Sequence, residues 1–244
     1  MSVKVAVITG AARRVGAALV RQFHQQGYNV LLHYRHSKTD ADQLAAELNA
    51  LRADSVITLQ ADLLQSSSIQ DIAECVENTW QRCDVLVNNA SAFYPRKLAD
   101  CSEDDWNTLV GSNLKAPFFL IQALAGLLKQ HHGSVINIVD ISAERAREFY
   151  SLYCMAKAGN AMMTQALSLE LAPEVRVNGI APGAILWPEN DDGEEVSNPD
   201  RLQAIPLKRL GGTQSICETV DFLIHSASYI TGEIIKVDGG QSVK

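Results

Sequence analysis

Val3-Lys-Val-Ala-Val-Ile-Thr-Gly10-Ala-Ala-Arg-Arg14-Val-Gly16-Ala-Ala-Leu-Val-Arg-Gln-Phe-His-Gln-Gln-Gly27 decides the fold of this chain. Residues 3–8 form an apolar run of the kind buried on both faces of a parallel sheet. Residues 14–26 carry apolar side chains at helical spacing and stop at Gly27, a residue suited to a helix end. Between strand and helix lies Thr9-Gly-Ala-Ala-Arg-Arg-Val-Gly16. A glycine turn there aims backbone N–H groups and a helix amino terminus at a pyrophosphate. Glycines alone say little. Their position after a first strand is what points to a dinucleotide turn.

Outward from this unit the alternation continues. Apolar strands are expected at 30–33, 55–60, 84–87, 134–139 and 175–180. Helices are expected at 40–51, 68–79, 106–129 and 152–171, with Pro117 as a kink or interruption in the third. Buried strands alternating with helices imply an α/β fold: a doubly wound, Rossmann-type parallel sheet covered on both faces, with ligands at the carboxyl ends of the strands. The 244 residues are read as one domain, 1–244. The irregular stretch at 183–212, rich in Pro, Asp, Glu and Gly, is expected to be a substrate lid.

Composition excludes several classes of function. A net charge of −7 gives no electrostatic case for nucleic acid or a membrane surface. No apolar run approaches spanning length, and the amino terminus shows no signal-peptide pattern. Five scattered cysteines without a C-x-x-C suggest a reduced, cytoplasmic protein, not a disulfide framework or zinc site. His131-His132 reads as a solvated helix end. Glu189-Asn-Asp-Asp-Gly-Glu-Glu195 lacks the EF-hand pattern and reads as a solvated acidic loop. No metal is expected.

The second strand ends in His33-Tyr-Arg-His-Ser37, with no acid to take a ribose 2′-hydroxyl. Arg35, with His36 and Ser37 beside it, suits a 2′-phosphate, so NADPH is expected over NADH. Further on, Tyr153-Cys-Met-Ala-Lys157 sets a phenol and an ammonium one helical turn apart. The lysine is expected to favour the tyrosinate and so tune Tyr153 for proton transfer. Asp140 follows the strand-like run Ser134-Val-Ile-Asn-Ile-Val139. A carboxylate accepts hydrogen bonds and repels a forming oxyanion, so Asp140 points away from a ketone and toward a substrate offering N–H donors.

The Tyr153/Lys157 pair resembles that of the short-chain dehydrogenases/reductases, in which a serine usually stands where this chain has Asp140. The family's glycine pattern is T-G-x-x-x-G-x-G, and Arg14 replaces its middle glycine. Taken together, T-G-A-A-R-R-V-G, H-Y-R-H-S, N-N-A-S-A-F-Y-P, Asp140 and Y-S-L-Y-C-M-A-K resemble the pteridine reductases over nearly the whole chain. That resemblance implies a nucleotide site of Gly10, Arg14, Val15, Gly16, Tyr34, Arg35, His36, Ser37, Asp62, Leu63, Asn89, Ala90, Ser91, Tyr153, Lys157, Pro182 and Gly183. Asp62 matches the family's adenine-contacting acid; a helix cap is its plainer reading.

On the substrate side the resemblance implies a pterin stacked on Phe93, with Arg14, Ser91, Asp140, Tyr150, Tyr153 and Trp187 around it. Asp140, Tyr153, Lys157 and Asn113 are the implied catalytic set, Asn113 holding a relay water. The implied activity is NADPH-dependent reduction of dihydropterins, with oxidised pterins or dihydrofolate as further substrates, by a homotetramer. Two alternatives stand beside it: a carbonyl reductase of the same superfamily, and an NADPH-binding regulatory protein without turnover.

Overall fold

Val5–Ile8 (β1) is apolar throughout and fully buried, because both of its faces are covered. Ala6 and Ile8 point into one core and Val7 into the other, as the two-residue period of a strand requires. The computed structural model describes residues 3–189 and 195–244. Seven strands form one sheet: β1, Asn29–Tyr34 (β2), Val56–Gln60 (β3), Val85–Asn88 (β4), Ser134–Ile138 (β5), Arg176–Pro182 (β6) and Ile234–Val237 (β7). Their order is β3-β2-β1-β4-β5-β6-β7, all parallel. The chain thus has the expected Rossmann-type doubly wound sheet. Strand order reverses between β1 and β4, and a crevice opens there at the carboxyl ends.

Arg14–Gln25 (α1), Lys38–Leu51 (α2) and Gly212–Asp221 (α8) cover one face, through side chains such as Leu19, Leu44 and Ile216. Ser66–Trp80 (α3), Ala116–Gln130 (α5) and Ser151–Glu170 (α6) cover the other, through Ile72, Leu124 and Leu167. In α1 the buried set Gly16, Leu19, Val20 and Phe23 follows the three-four spacing of an amphipathic helix. Each such leucine withdrawn from water contributes about 1.5–3 kcal/mol.

The interruption expected at Pro117 takes the form of a π-turn just before it. Glu103–Val110 (α4) runs into α5 through a π-turn at Gly111–Lys115. Pro117 has no N–H for the Asn113 carbonyl four residues back, and that carbonyl instead accepts Asn160 Nδ2 at 2.7 Å. After Ile180 the described residues hold three elements that strand and helix patterning did not reveal: Pro199–Ala204 (α7), α8 and β7. The described residues of the 183–212 stretch include regular structure, the short helix α7. The base of the stretch is closed by Gly211 N–H to Ala184 O (3.0 Å) and Gly212 N–H to Ile185 O (2.9 Å).

Among the described residues no helix is long and apolar enough to cross a membrane, and no His, Cys, Asp and Glu cluster could hold a metal. All five cysteines are free thiols.

Candidate active site

The crevice at the switch point has a volume of about 1100 Å³ and is walled by the glycine turn, the ends of β4 and β5, α6 and the segment after β6. Gly10, Arg14, Val15, Gly16, Asn89, Ala90, Ser91, Phe93, Asp140, Tyr153, Lys157, Pro182 and Gly183 all line it. Residues up to 173 positions apart are therefore brought together as the sequence anticipated.

The glycine turn is held from beneath. Gly10 has φ +59°, and Asn89 Nδ2 donates to the carbonyls of Thr9 and Gly10, both at 2.9 Å. A Cβ on Gly16 would lie 2.2 Å from the Gly10 carbonyl oxygen, so no larger residue fits. Arg14 holds φ +53°, the left-handed conformation that the family's glycine would adopt freely. For an arginine that costs about 1–2 kcal/mol. Its guanidinium donates to Trp187 O at 2.7 Å and pairs with Glu189 at 2.8 Å.

One supporting residue was not anticipated. Buried His33 accepts Gly10 N–H through Nδ1 at 3.2 Å, which leaves its Nε2–H to donate to Ala61 O at 3.0 Å. Burial lowers its pKa from 6.5 to about 4, so the ring stays neutral and keeps its acceptor nitrogen. Nothing in the local pattern distinguishes His33 from other strand residues; only the parallel register brings it under the turn.

Arg35 stands exposed just past β2, 4.0 Å from Asp62 across the end of β3. His36 is also exposed, whereas the Tyr34 ring is buried in the core, so that residue presents main chain to the turn. Ser37 precedes α2 without capping it through its hydroxyl. Asp62 is no helix cap: α3 begins four residues on, and Asp62 Oδ1 accepts Leu64 N–H at 3.1 Å in a turn of its own. Leu63 packs partly buried against the core.

At the other end of the crevice, Asp140 follows β5. Its Oδ1 accepts Ser142 N–H at 2.7 Å, and its Oδ2 accepts the Tyr153 hydroxyl at 2.9 Å. Helix α6 places Lys157 one turn beyond Tyr153, where buried Nζ donates to Ile138 O at 2.7 Å. The expectation that Lys157 favours a tyrosinate is not met here. Burial, and then the Asp140 carboxylate, push the Tyr153 phenol well above its ordinary range, so it remains a proton carrier. Lys157 itself is lowered from 10.5 to about 8 by burial, with Asp140 opposing.

Phe93 forms an aromatic cluster at the mouth. It stacks on Tyr150 at 4.7 Å between centroids and meets the Tyr153 ring edgewise at 4.8 Å. The Arg147 guanidinium, which was not anticipated, lies 4.3 Å above Tyr150 and 5.2 Å from Phe93. Asn113 is fully buried. Its Nδ2 donates to Ala92 O and Leu109 O, both at 2.9 Å, and its carbonyl is taken by Asn160. It holds the loop that carries Phe93 and does not line the crevice. Trp187 likewise offers the site its carbonyl, while its neighbours Leu186 and Pro188 line the crevice. Of the acidic loop, residues 190–194 lie outside the described residues. Glu189 is not a solvated bystander, since it pairs with both Arg13 and Arg14.

A glycine turn after β1, a Tyr/Lys pair on α6 and a reversing parallel sheet coincide with a family-model match over residues 10–242, described as enoyl-(acyl carrier protein) reductase. The chain belongs to the short-chain dehydrogenase/reductase family. It is 38% identical to pteridine reductase 1 of Leishmania tarentolae, over 98% of this chain and 96% of that protein. It is 33% identical to a 3-oxoacyl-[acyl-carrier-protein] reductase of Staphylococcus epidermidis, covering 97% and 98%. A 3-oxoacyl-[acyl-carrier-protein] reductase of Synechocystis is also 33% identical, covering 98% and 97%. The chain is accordingly a nicotinamide-dependent oxidoreductase of this family. Its crevice suits the dinucleotide: the Gly10–Gly16 turn admits close backbone approach, and Lys157 projects beside Tyr153 on the opposite wall.

Proposed function

We propose that this protein is an NADPH-dependent reductase of dihydropterins. The observation that carries this reading is the Asp140 carboxylate, which accepts the Tyr153 hydroxyl in a crevice edged by the Phe93–Tyr150 stack. A carboxylate accepts N–H donors, which pterins present and ketones lack. A flat heterocycle gains about 0.5–1.5 kcal/mol from an aromatic face beyond its area burial.

The chemistry that a nicotinamide held in the crevice would supply is hydride transfer to the carbon of a ring C=N bond. Tyr153, held as the neutral phenol, delivers the proton to the nitrogen, directly or through water. Asp140 orients that hydroxyl and receives pterin N–H groups. Lys157 holds the nicotinamide ribose and places a positive charge beside the phenol as it gives up its proton. Arg35 is assigned the 2′-phosphate, and Phe93 the pterin face with Ser91 and Arg14 at its edge. Segment 183–212 is assigned as the lid. Dihydrofolate is a secondary substrate in this reading, and the working form is a cytoplasmic homotetramer.

The similarity to 3-oxoacyl-[acyl-carrier-protein] reductases supports a second reading, a carbonyl reductase. Asp140 weighs against it, because the anion would repel a forming alkoxide. A purely regulatory NADPH-binding role has no use for the Tyr153–Asp140 contact. The test is NADPH oxidation with a dihydropterin by the unmodified protein and by Tyr153→Phe. Turnover is expected to be lost in the variant with NADPH binding intact; near-full activity in Tyr153→Phe refutes the assignment.

A further inference from the structure

Glu189 lies on the segment after β6, and Arg13 and Arg14 lie on the glycine turn 176 and 175 positions earlier. The two guanidiniums divide one carboxylate between them. Arg13 Nη2 donates to Oε2 at 2.7 Å, and Arg14 Nη1 forms an ion pair with Oε1 at 2.8 Å. Arg14 Nη2 adds a bond to Trp187 O at 2.7 Å, two residues before Glu189. Two hydrogen bonds from charged donors and one ion pair therefore span the crevice from its phosphate-turn wall to the segment opposite. Glu189 is three-quarters withdrawn from solvent, so the pair is less screened than an open surface pair.

Among the described residues, the stretch from Leu186 to Asn198 makes no backbone hydrogen bond to the sheet or to the glycine turn. Among the described residues, its backbone bonds are Val196 N–H to Pro188 O, within the stretch, and Arg201 N–H to Asn198 O, at the start of α7. Among the described residues, Arg13 and Arg14 donate the hydrogen bonds that fasten this stretch over the crevice.

We propose that Glu189 is a positioning residue: it latches the segment after β6 to the glycine turn, fixes the Arg14 guanidinium at the crevice wall, and sets the rate at which the nicotinamide dinucleotide leaves. The proposal requires dinucleotide binding and not the pterin assignment. Glu189 touches neither the nicotinamide nor the transferred hydrogen. It acts through Arg14 and through the closure of the segment.

The test is stopped-flow dissociation of NADPH, followed by its fluorescence, from the full-length protein and from Glu189→Gln, Arg13→Gln and the double variant. Glu189→Gln is expected to speed release by about 5- to 30-fold, the effect of losing two partly exposed charged contacts. Arg13→Gln should speed release by less, and the double variant should add little to Glu189→Gln, because both act on one contact. The KM for NADPH should rise while single-turnover hydride transfer from the loaded protein stays within about twofold. A residue needed only for folding would lower the thermal midpoint without this coupling. Release rates within twofold of the unmodified protein in both single variants overturn the latch. So does slower release, which would mean that Glu189 competes with the dinucleotide for Arg14. An unmodified protein that binds NADPH normally but reduces no pterin would sink the pterin assignment and leave the latch standing.

Discussion

Replacing Asp140 by asparagine preserves the side chain's shape and removes its charge. In the native site, Oδ1 accepts Ser142 N–H at 2.7 Å and Oδ2 accepts the Tyr153 hydroxyl at 2.9 Å. The asparagine oxygen can still serve Ser142, and its NH₂ then faces the phenol and donates to it. The Tyr153 proton loses its charged acceptor. Hydrogen bonds to charged groups contribute about 1.5–3 kcal/mol. At 1.36 kcal/mol per tenfold, kcat/KM for a dihydropterin should fall by about 10- to 150-fold. Because Asp140 is one of the causes holding the phenol high, Tyr153 should also titrate at lower pH in the variant. Steady-state NADPH oxidation gives the first quantity, and ultraviolet difference titration against Tyr153→Phe gives the second. Thermal unfolding controls for a collapsed site, and Asp140→Ser, which cannot replace the second acceptor, should lose at least as much. A change below twofold in kcat/KM, with Tyr153 titrating as before, would refute the role given to this carboxylate.

Three further outcomes follow from the geometry. Phe93→Ala removes the face that stacks on Tyr150, so pterin binding should weaken by about 2- to 13-fold, with NADPH affinity unchanged; fluorescence titration of both ligands measures this. Arg35→Ala should raise the KM for NADPH and barely alter that for NADH, because Arg35 is exposed beside Asp62 and no acid stands in the 33–37 turn; equal kcat/KM for the two cofactors in the unmodified protein would contradict it. His33 has a folded pKa of about 4 against 6.5, so between these values the unfolded chain binds a proton that the folded chain does not. Stability should therefore fall by about 3 kcal/mol as pH drops from 6.5 to 4, and His33→Asn should flatten that limb in denaturant unfolding.

Much of the fold was legible because it rests on local regularities. The buried runs at β1, β2, β4 and β5 are continuous in apolar character, and α1 declares itself by the spacing of Leu19, Val20 and Phe23. β7 escaped notice because it is short, only partly buried and set among glycines. The π-turn before Pro117 was hidden because its compensation comes from Asn160, far along the chain. The Tyr153–Lys157 pair was legible from a spacing of four, but the protonation of Tyr153 was not. That depends on burial and on the approach of Asp140, neither of which a helical wheel contains. His33, Arg147 and Glu189 act through contacts made across the assembled sheet and crevice, so no window of sequence marks them.

The most direct test of the central claim is a side-by-side measurement of kcat/KM, with NADPH, for dihydrobiopterin and for a 3-oxoacyl thioester. A site with Asp140 against Tyr153 and an aromatic stack at its mouth should favour the dihydropterin by about 100-fold or more. Faster turnover of the thioester would contradict the pterin assignment and return the protein to the carbonyl reductases of its family.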